Sequence, residues 1–497
     1  MFCFSSNSTG GRAWLVVAAL SILMPAKAEE IAADYMKVVR AYADAMIQHG
    51  RDTYGEARTP LFAAALDRKT LKLPPQVLLE IPGIRKQDRS LTGANPMHDQ
   101  NLYQVLYALT KATGQRKYAA AADEALKWFF EHCQSPTTGL LAWGEHLGWD
   151  FQNEQATPLD IHEFFRPWVL WEKSFQLAPG AVDTFALGLW RHQIADQQTG
   201  EFSRHAKYSQ HQPGKGHEFT RHGGFYIATW AAAYQRSRNP ELLEAIDALV
   251  TSFEKRRNPE SGAIPSQTSI PELMWPPSNL SLAIDLWDSA SGMPEGLAAR
   301  MRTLALSQAD VFLRVKHDLS PQGKGFVKSV FTSTLETGDY REKTQPPRPA
   351  WYPFSRTWAT GYGMFTDAKM AMLCLLRYQQ VENPGYRKLF MAAADRYLQS
   401  EPDVSIALYP GAVSEAMATL LGAYRLTGQT KYLTRADSFA QRAVALFFDE
   451  SALPRASTKH EHYEAITGGD TLVMELLDLW AVKSNVRSPL ILKWVER

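Results

Sequence analysis

The amino-acid sequence predicts an all-α protein, an (α/α) toroid or barrel of six to seven helical hairpins with a few short β pieces. Three observations predict it. Apolar residues recur at helical spacing through most of the chain. A six-residue hairpin signal recurs near both ends. Alternating apolar and polar text, which a half-buried strand needs, is nearly absent. The 497 residues are 45% hydrophobic and 21% charged, ordinary globular composition that excludes a disordered, collagen-like or heptad-only chain. The formal charge is +1 and the cations form no blocks, so a nucleic-acid partner has no support.

In chain order, Arg12 comes first, then an apolar run from Ala13 to Met24, then Pro25-Ala26-Lys27-Ala28. A basic start, an apolar core and a small-x-small cleavage site make an export signal, expected to be cut after Ala28. The run is too short for a permanent bilayer span. Residues 1–28 are therefore read as a signal peptide and 29–497 as a single catalytic domain, periplasmic or secreted, with no membrane contact after signal removal. Ile31 to His49 places Tyr35, Val38, Val39, Tyr42 and Met46 on one helical stripe. Asn101–Thr110, Lys117–His132, Phe225–Tyr234, Glu241–Lys255, Thr366–Tyr378, Tyr386–Gln399, Ser414–Leu426 and Thr430–Phe448 read the same way. Short β pieces are expected around Gly325 to Thr332. Once Cys3 leaves with the signal, Cys133 and Cys374 remain in apolar text, as buried free thiols rather than a disulfide framework or a Cys metal site. The sequence carries no signal for an oligomeric state.

The organising feature is the repeat. Thr113-Gly114-Gln115-Arg116-Lys117-Tyr118 returns as Thr427-Gly428-Gln429-Thr430-Lys431-Tyr432, each between an apolar helix and an Ala-rich one. Looser copies lie at Asn239-Pro240 and Asn383-Pro384-Gly385. Gly or Asn closes one helix, and an aromatic or Leu one turn into the next packs back. One hairpin cannot bury its apolar face alone, so the copies must stack. Copies near both ends argue for a closed ring. The Pro-rich stretch Thr344 to Pro353 contains Trp351, Tyr352 and Arg348, which fits a funnel-lining loop better than a linker.

Four clusters carry chemistry: Asn95 to Asn101 with His98; Trp143-Gly144-Glu145-His146; His162-Glu163-Phe164-Phe165-Arg166; and Phe202 to Tyr208 with Arg221-His222 following. None has the spacing of a zincin helix, and no Walker loop, Gly-x-Ser-x-Gly elbow or Rossmann fingerprint occurs. Asp150, Asp160 and Glu163 are candidates for a paired-carboxylate glycosidase. Histidines are the less common ingredient: nine of the 13 lie between His98 and His222. His and Glu without Cys suit a divalent transition metal, Mn, Ni, Fe or Zn, better than Ca. Trp143, Trp149, Trp168, Trp275 and Trp351 are candidates either for stacking on sugar rings or for core packing between hairpins.

Trp-Gly-x-His, His-Glu and Ser-Arg-His in that order, with Tyr54-Gly55, Pro60-Leu61-Phe62 and Gln100-Asn101-Leu102 before them, resemble the periplasmic pectate lyases, polysaccharide lyase family 2. The resemblance spans roughly residues 35 to 210. It implies an (α/α) barrel and metal-assisted β-elimination on polygalacturonate. It further implies His146, Glu163 and His205 as metal ligands, Arg204 as Brønsted base, and a distant lysine, taken here as Lys324 rather than Lys328. Two positions depart from the family pattern: Trp-Gly-Gly-His is here Trp-Gly-Glu-His, and Ser-Arg-His-Gly is Ser-Arg-His-Ala. Tyr208 and His222 stay open as alternative bases, and His98, Asn101, Tyr208, Arg221 and His222 are expected to bind substrate.

The expected function is that of an exported polysaccharide lyase acting on an acidic, pectate-like polyuronate. The elimination removes a weakly acidic C5 proton, which requires a cation on the neighbouring carboxylate and a base within hydrogen-bond reach. The alternatives are a glycoside hydrolase on the same toroid, acting on uronate-containing oligosaccharides, and a non-catalytic glycan-binding toroid.

Overall fold

The computed structural model describes residues 35–75, 79–339, 351–361, 364–486 and 490–497. The expected signal peptide, 1–28, and the Pro-rich residues 344–349 lie outside the described residues. Fourteen helices run through the described chain: residues 35–49 (α1), Gln100–Thr113 (α2), Arg116–His132 (α3), Trp171–Leu177 (α4), Pro179–Gly188 (α5), Thr220–Ser237 (α6), Pro240–Lys255 (α7), Pro276–Ser289 (α8), Glu295–Arg314 (α9), Asp367–Val381 (α10), Pro384–Gln399 (α11), Pro410–Thr427 (α12), Thr430–Phe447 (α13) and Gly469–Lys483 (α14). No helix among the described residues is long and apolar enough to cross a membrane.

The hairpin signal does what its residues predict. Gly114 (φ 72°) and Gly428 (φ 67°) end α2 and α12 in the left-handed conformation that glycine adopts without a Cβ penalty. Thr113 and Thr427 each bond back into the helix they end and accept the amide of the glutamine two residues on. Tyr118 and Tyr432 then bury their rings beneath Lys117 and Lys431. Burying such a ring contributes on the order of 1.5–3 kcal/mol. In the looser copies Arg238 and Glu382 take the left-handed position instead. Asn239 and Asn383 cap the next helix through their side chains, with proline in its first turn.

Successive pairs α2–α3, α4–α5, α6–α7, α8–α9, α10–α11 and α12–α13 pack as hairpins. Helix α14 pairs with α1 across the chain ends, where Lys483 stacks on Tyr35. Seven pairs therefore close a ring. Its inner wall runs α6, α8, α10, α12, α14 and back to α2. The seam at α14 and α2 is fastened by Asn101, whose Nδ2 donates to Thr471 Oγ1 over 2.9 Å. The short α4, with the extended residues before it, fills the gap between α2 and α6. Strands are two or three residues long, in five small antiparallel sheets among the described residues. One is the expected piece at Val330–Phe331, paired with Leu273–Met274. Cys133 and Cys374 are buried free thiols.

Helices α4, α5, α8, α9 and α14 are additions to the sequence reading. Pro276 and Pro277 sit in the first turn of α8, where no backbone donor is lost.

Candidate active site and metal centre

The inner helices all present their N-termini to one end of the ring. Arg221 of α6, Ser278 of α8, Lys369 of α10, Gly411 at the start of α12 and Gly468 before α14 line a cleft of about 560 Å3 there. Unpaired helical N–H groups give each such end roughly half a positive charge. Arg166, Arg204, Lys328 and Arg497 add full charges to the same walls. Five carboxylates, Asp88, Glu145, Glu163, Glu415 and Glu496, share those walls, so an anionic ligand would be met by the helix N-termini and the cations.

Two backbone pairings assemble the chemical groups at the cleft edge. Gly144 bridges Glu163 in parallel, and the Glu145 amide donates to the Glu163 carbonyl over 3.3 Å. Strand Ile161–His162 pairs with Ala206–Lys207, His162 facing Ala206, so that Glu163 and His205 become neighbours. Gly144 (φ 121°) is the one position here that only glycine fills, because a Cβ would fall well inside 3.0 Å of the Glu163 carbonyl oxygen. Asn95 Nδ2 donates to the carbonyls of Gly144 and Leu147 and holds the loop.

The result is a convergence on Glu163. Its Oε2 lies 3.2 Å from His146 Nε2 and 2.8 Å from His205 Nε2, and these two nitrogens are 3.4 Å apart. Its Oε1 lies 2.9 Å from His222 Nε2 and 3.2 Å from Arg204 Nε. Burial alone would push the Glu163 carboxyl up; the hydrogen bonds from His146, His205 and His222 outweigh it and hold the carboxyl well below its usual range. Burial works against charge on His146 too, but Asp88 and Glu163 raise it to about 9. Burial and the adjacent Glu163 carboxylate push Glu145 up to about 8.

These residues fit a divalent metal. One atom each from His146, Glu163 and His205 lies within 4.8 Å of the others, a buried two-His, one-carboxylate donor set. Asp88 Oδ1 sits 2.8 Å from His146 Nδ1, which orients the ring so that Nε2, once it gives up its proton to a metal, faces the other two donors.

The structure separates the other expected site residues. Arg204 lines the cleft with its guanidinium 4.1 Å over the Phe219 ring, and Arg221 shares that ring at 5.9 Å. Lys324 does not join them: it is exposed on a turn beside Phe354, outside the cleft lining. Lys328, four residues on, is buried in the cleft wall with its ammonium 3.8 Å over Tyr352. His222 is fully buried behind Glu163, and burial lowers it to about 4. It therefore supports Glu163 and does not face the cleft. Tyr208 directs its hydroxyl to the Cys133 carbonyl. His98 is buried against Phe165, with Nε2 lacking a partner, and Asn101 fastens the ring seam. None of His98, Asn101, Tyr208 and His222 is among the residues that line the cleft.

Of the candidate carboxylates, Asp150 and Asp160 cap local turns, and only Glu163 reaches the cleft. Trp143 and Trp168 are core, Trp351 is exposed, and Trp275 lines the cleft. Asp88, Glu145, Arg166, Lys369 and Glu496 are cleft residues that sequence reasoning missed as site residues. Glu145 stood inside a quoted motif, and its departure from glycine was the available signal.

Residues 59–225 match the family model described as periplasmic pectate lyase. Among solved structures, the chain is similar to a D-mannose isomerase at 10% identity and a TM-score of 0.48, over 89% of this chain and 97% of that one. It is similar to a GH76 α-mannanase of Bacteroides thetaiotaomicron at 10% identity and 0.47, over 92% and 98%. It is also similar to an unsaturated glucuronyl hydrolase specific for heparin at 10% identity and 0.46, over 91% and 98%.

Proposed function

We propose that this chain, a polysaccharide lyase by its match to the periplasmic pectate lyase family, cleaves a pectate-like polyuronate by metal-assisted β-elimination. The observation that carries the reading is the convergence of His146 Nε2, His205 Nε2 and Glu163 Oε2 at the edge of a cleft lined by helix N-termini and cations. His146, Glu163 and His205 would hold the metal, Mn, Ni, Fe or Zn. When bound, it supplies positive charge that stabilises the carboxylate-adjacent carbanion.

The chain's own residues do the rest. Arg221, Lys328 and the helix N-termini bind and orient substrate carboxylates. Arg204, beside Glu163 in the cleft wall, takes the C5 proton as the bond from C4 to the leaving oxygen breaks and the C4–C5 double bond forms. Arginine accepts a proton only from its neutral form. Lys328 takes the part expected of Lys324, pairing with a substrate carboxylate as a point charge. The family's name supports a periplasmic location, and residues 29–497 form one catalytic domain under this reading.

The test is incubation with a panel of uronate polymers, followed by ultraviolet absorbance. Unsaturated products from polygalacturonate, lost on chelation and restored by metal, are expected. New reducing ends without that absorbance would replace the lyase reading with a hydrolase. Binding without either product would leave a non-catalytic toroid.

A further inference from the structure

We propose that Glu145 is a fourth protein ligand of the metal centre, completing a two-His, two-Glu set with His146, Glu163 and His205. The inference rests on the metal reading above and concerns the position where this sequence departs from the Trp-Gly-Gly-His pattern. Glycine there offers no side chain, so the extra carboxylate belongs to this chain.

Three observations place it. First, Glu145 Oε2 lies 3.7 Å from His146 Nε2, the same nitrogen that faces Glu163 and His205. Glu145 also lies within 4.8 Å of His146 and Asp88 as a group of possible metal donors, and His146 is the member it shares with the Glu163 and His205 group. A divalent cation held at His146 Nε2 therefore has the Glu145 carboxylate beside it.

Second, Glu145 is held in position. Arg85 Nη2 takes Oε1 at 2.9 Å, which turns Oε2 toward the centre. The same guanidinium uses Nε to hold Asp88 at 2.8 Å, and Asp88 in turn orients His146. One arginine therefore sets both a histidine ligand and the added carboxylate, the kind of outer support that metal sites keep around their ligands.

Third, the backbone leaves Glu145 little choice. Its amide is bonded to the Glu163 carbonyl and its neighbour Gly144 bridges the same residue, so the two acidic side chains leave adjacent backbone on paired segments.

The added carboxylate changes what the site prefers. Two carboxylates neutralise a divalent ion, where one leaves a net positive centre. Oxygen donors favour Mn(II), while an imidazole-dominated set suits Ni(II) or Zn(II).

Metal-free protein is titrated calorimetrically with Mn(II) and with Ni(II), for wild type, Glu145→Gly, Glu145→Gln and Arg85→Gln. Glu145→Gly and Glu145→Gln are expected to weaken Mn(II) by about tenfold or more, and Ni(II) by less. Arg85→Gln is expected to fall between. The glutamine variant keeps the shape of the side chain and guards against a folding artefact, checked by the melting of the metal-free forms. Wild-type Mn(II) affinity in both Glu145 variants overturns the fourth ligand while the three-residue centre stands. Failure of wild type to bind either metal overturns the centre and the fourth ligand together.

Discussion

Replacing Gly144 with alanine isolates the backbone pairing that builds the site. Gly144 has φ 121°, a region that L-residues with a side chain rarely occupy, and a Cβ there meets the Glu163 carbonyl oxygen well inside 3.0 Å. The conformational cost alone is about 1–3 kcal/mol. The clash adds to it unless the two segments separate. Separation by about 1 Å relieves the clash but moves Glu163 relative to His146, two donors now 3.2 Å apart. Misplacement on that scale costs about 100-fold in rate. Gly144→Ala should therefore fold, melt somewhat lower, and lose about 100-fold in kcat/KM, with weakened metal affinity. The assay pairs thermal melting of the metal-free protein with initial rates of unsaturated-product formation and a metal titration. An alanine variant with wild-type rate and metal affinity would refute the claim that this close approach sets the ligand geometry.

Two further outcomes separate roles within the cleft. Arg204→Ala should lower turnover by roughly 100-fold or more while leaving oligouronate binding largely intact, whereas Lys328→Ala should damage both. Lys324→Ala should leave both near wild type, and a large loss there would mean that the exposed lysine reaches substrate. Glu415, in the cleft wall beside Lys369 and hydrogen-bonded by Thr366, is pushed up by burial to about 7 from 4.5. The folded chain therefore holds that proton more tightly than the unfolded one. Its stabilising effect is complete below pH 4.5 and is lost as pH rises through 7, on the order of 3 kcal/mol in all. Urea midpoints at pH 5 and pH 8 should diverge between wild type and Glu415→Gln, and parallel pH dependence would contradict the assignment.

The ring was legible because its signal is local. A Thr-Gly-Gln hairpin closes within six residues, so Gly114 and Gly428 announce the same turn wherever they stand. Helices α8 and α14 were less so: they are buried on nearly all faces with polar residues among the buried ones, so no clean apolar stripe marks them, and α8 begins on two prolines. The triad His146, Glu163 and His205 came from a resemblance between motifs, and its convergence depends on pairings between distant loops that no spacing reveals. The same distance explains the misplacements. His222 and Tyr208 carry reactive groups, but one packs behind Glu163 and the other turns to the Cys133 carbonyl, contacts fixed by tertiary packing. Lys324 and Lys328 differ by four residues on a turn-rich strand approach, where the local text gives no face. Asp88 stands in no motif of the sequence, and only the fold brings it to His146.

Two cavities among the described residues lie in the bore of the ring, and they differ in their electrostatics. The larger, about 900 Å3, opens at the C-terminal ends of the inner helices, among Asp288, Glu475 and Asp478. Those ends carry partial negative charge, and the acids add to it. The smaller lies at the N-termini with Arg204, Arg221, Lys328 and Lys369. Residues 490–497 cross between the two: Gln104 of α2 takes the backbone at Lys493, Glu496 pairs with Arg166 at 3.2 Å, and Arg497 donates to Asp285 of α8. Arg497 borders both cavities, so this segment forms their common wall. In the larger space Arg425, Lys493 and Arg497 offset part of the acidic charge, and the helix ends favour an anion in the smaller one. There the helix N-termini are shared by all the repeats, while the donors His146, Glu163 and His205 come only from the long loops of the first half. Under the proposed function, the repeated part of the chain would supply the attraction for an acidic polymer, and the unrepeated loops the chemistry.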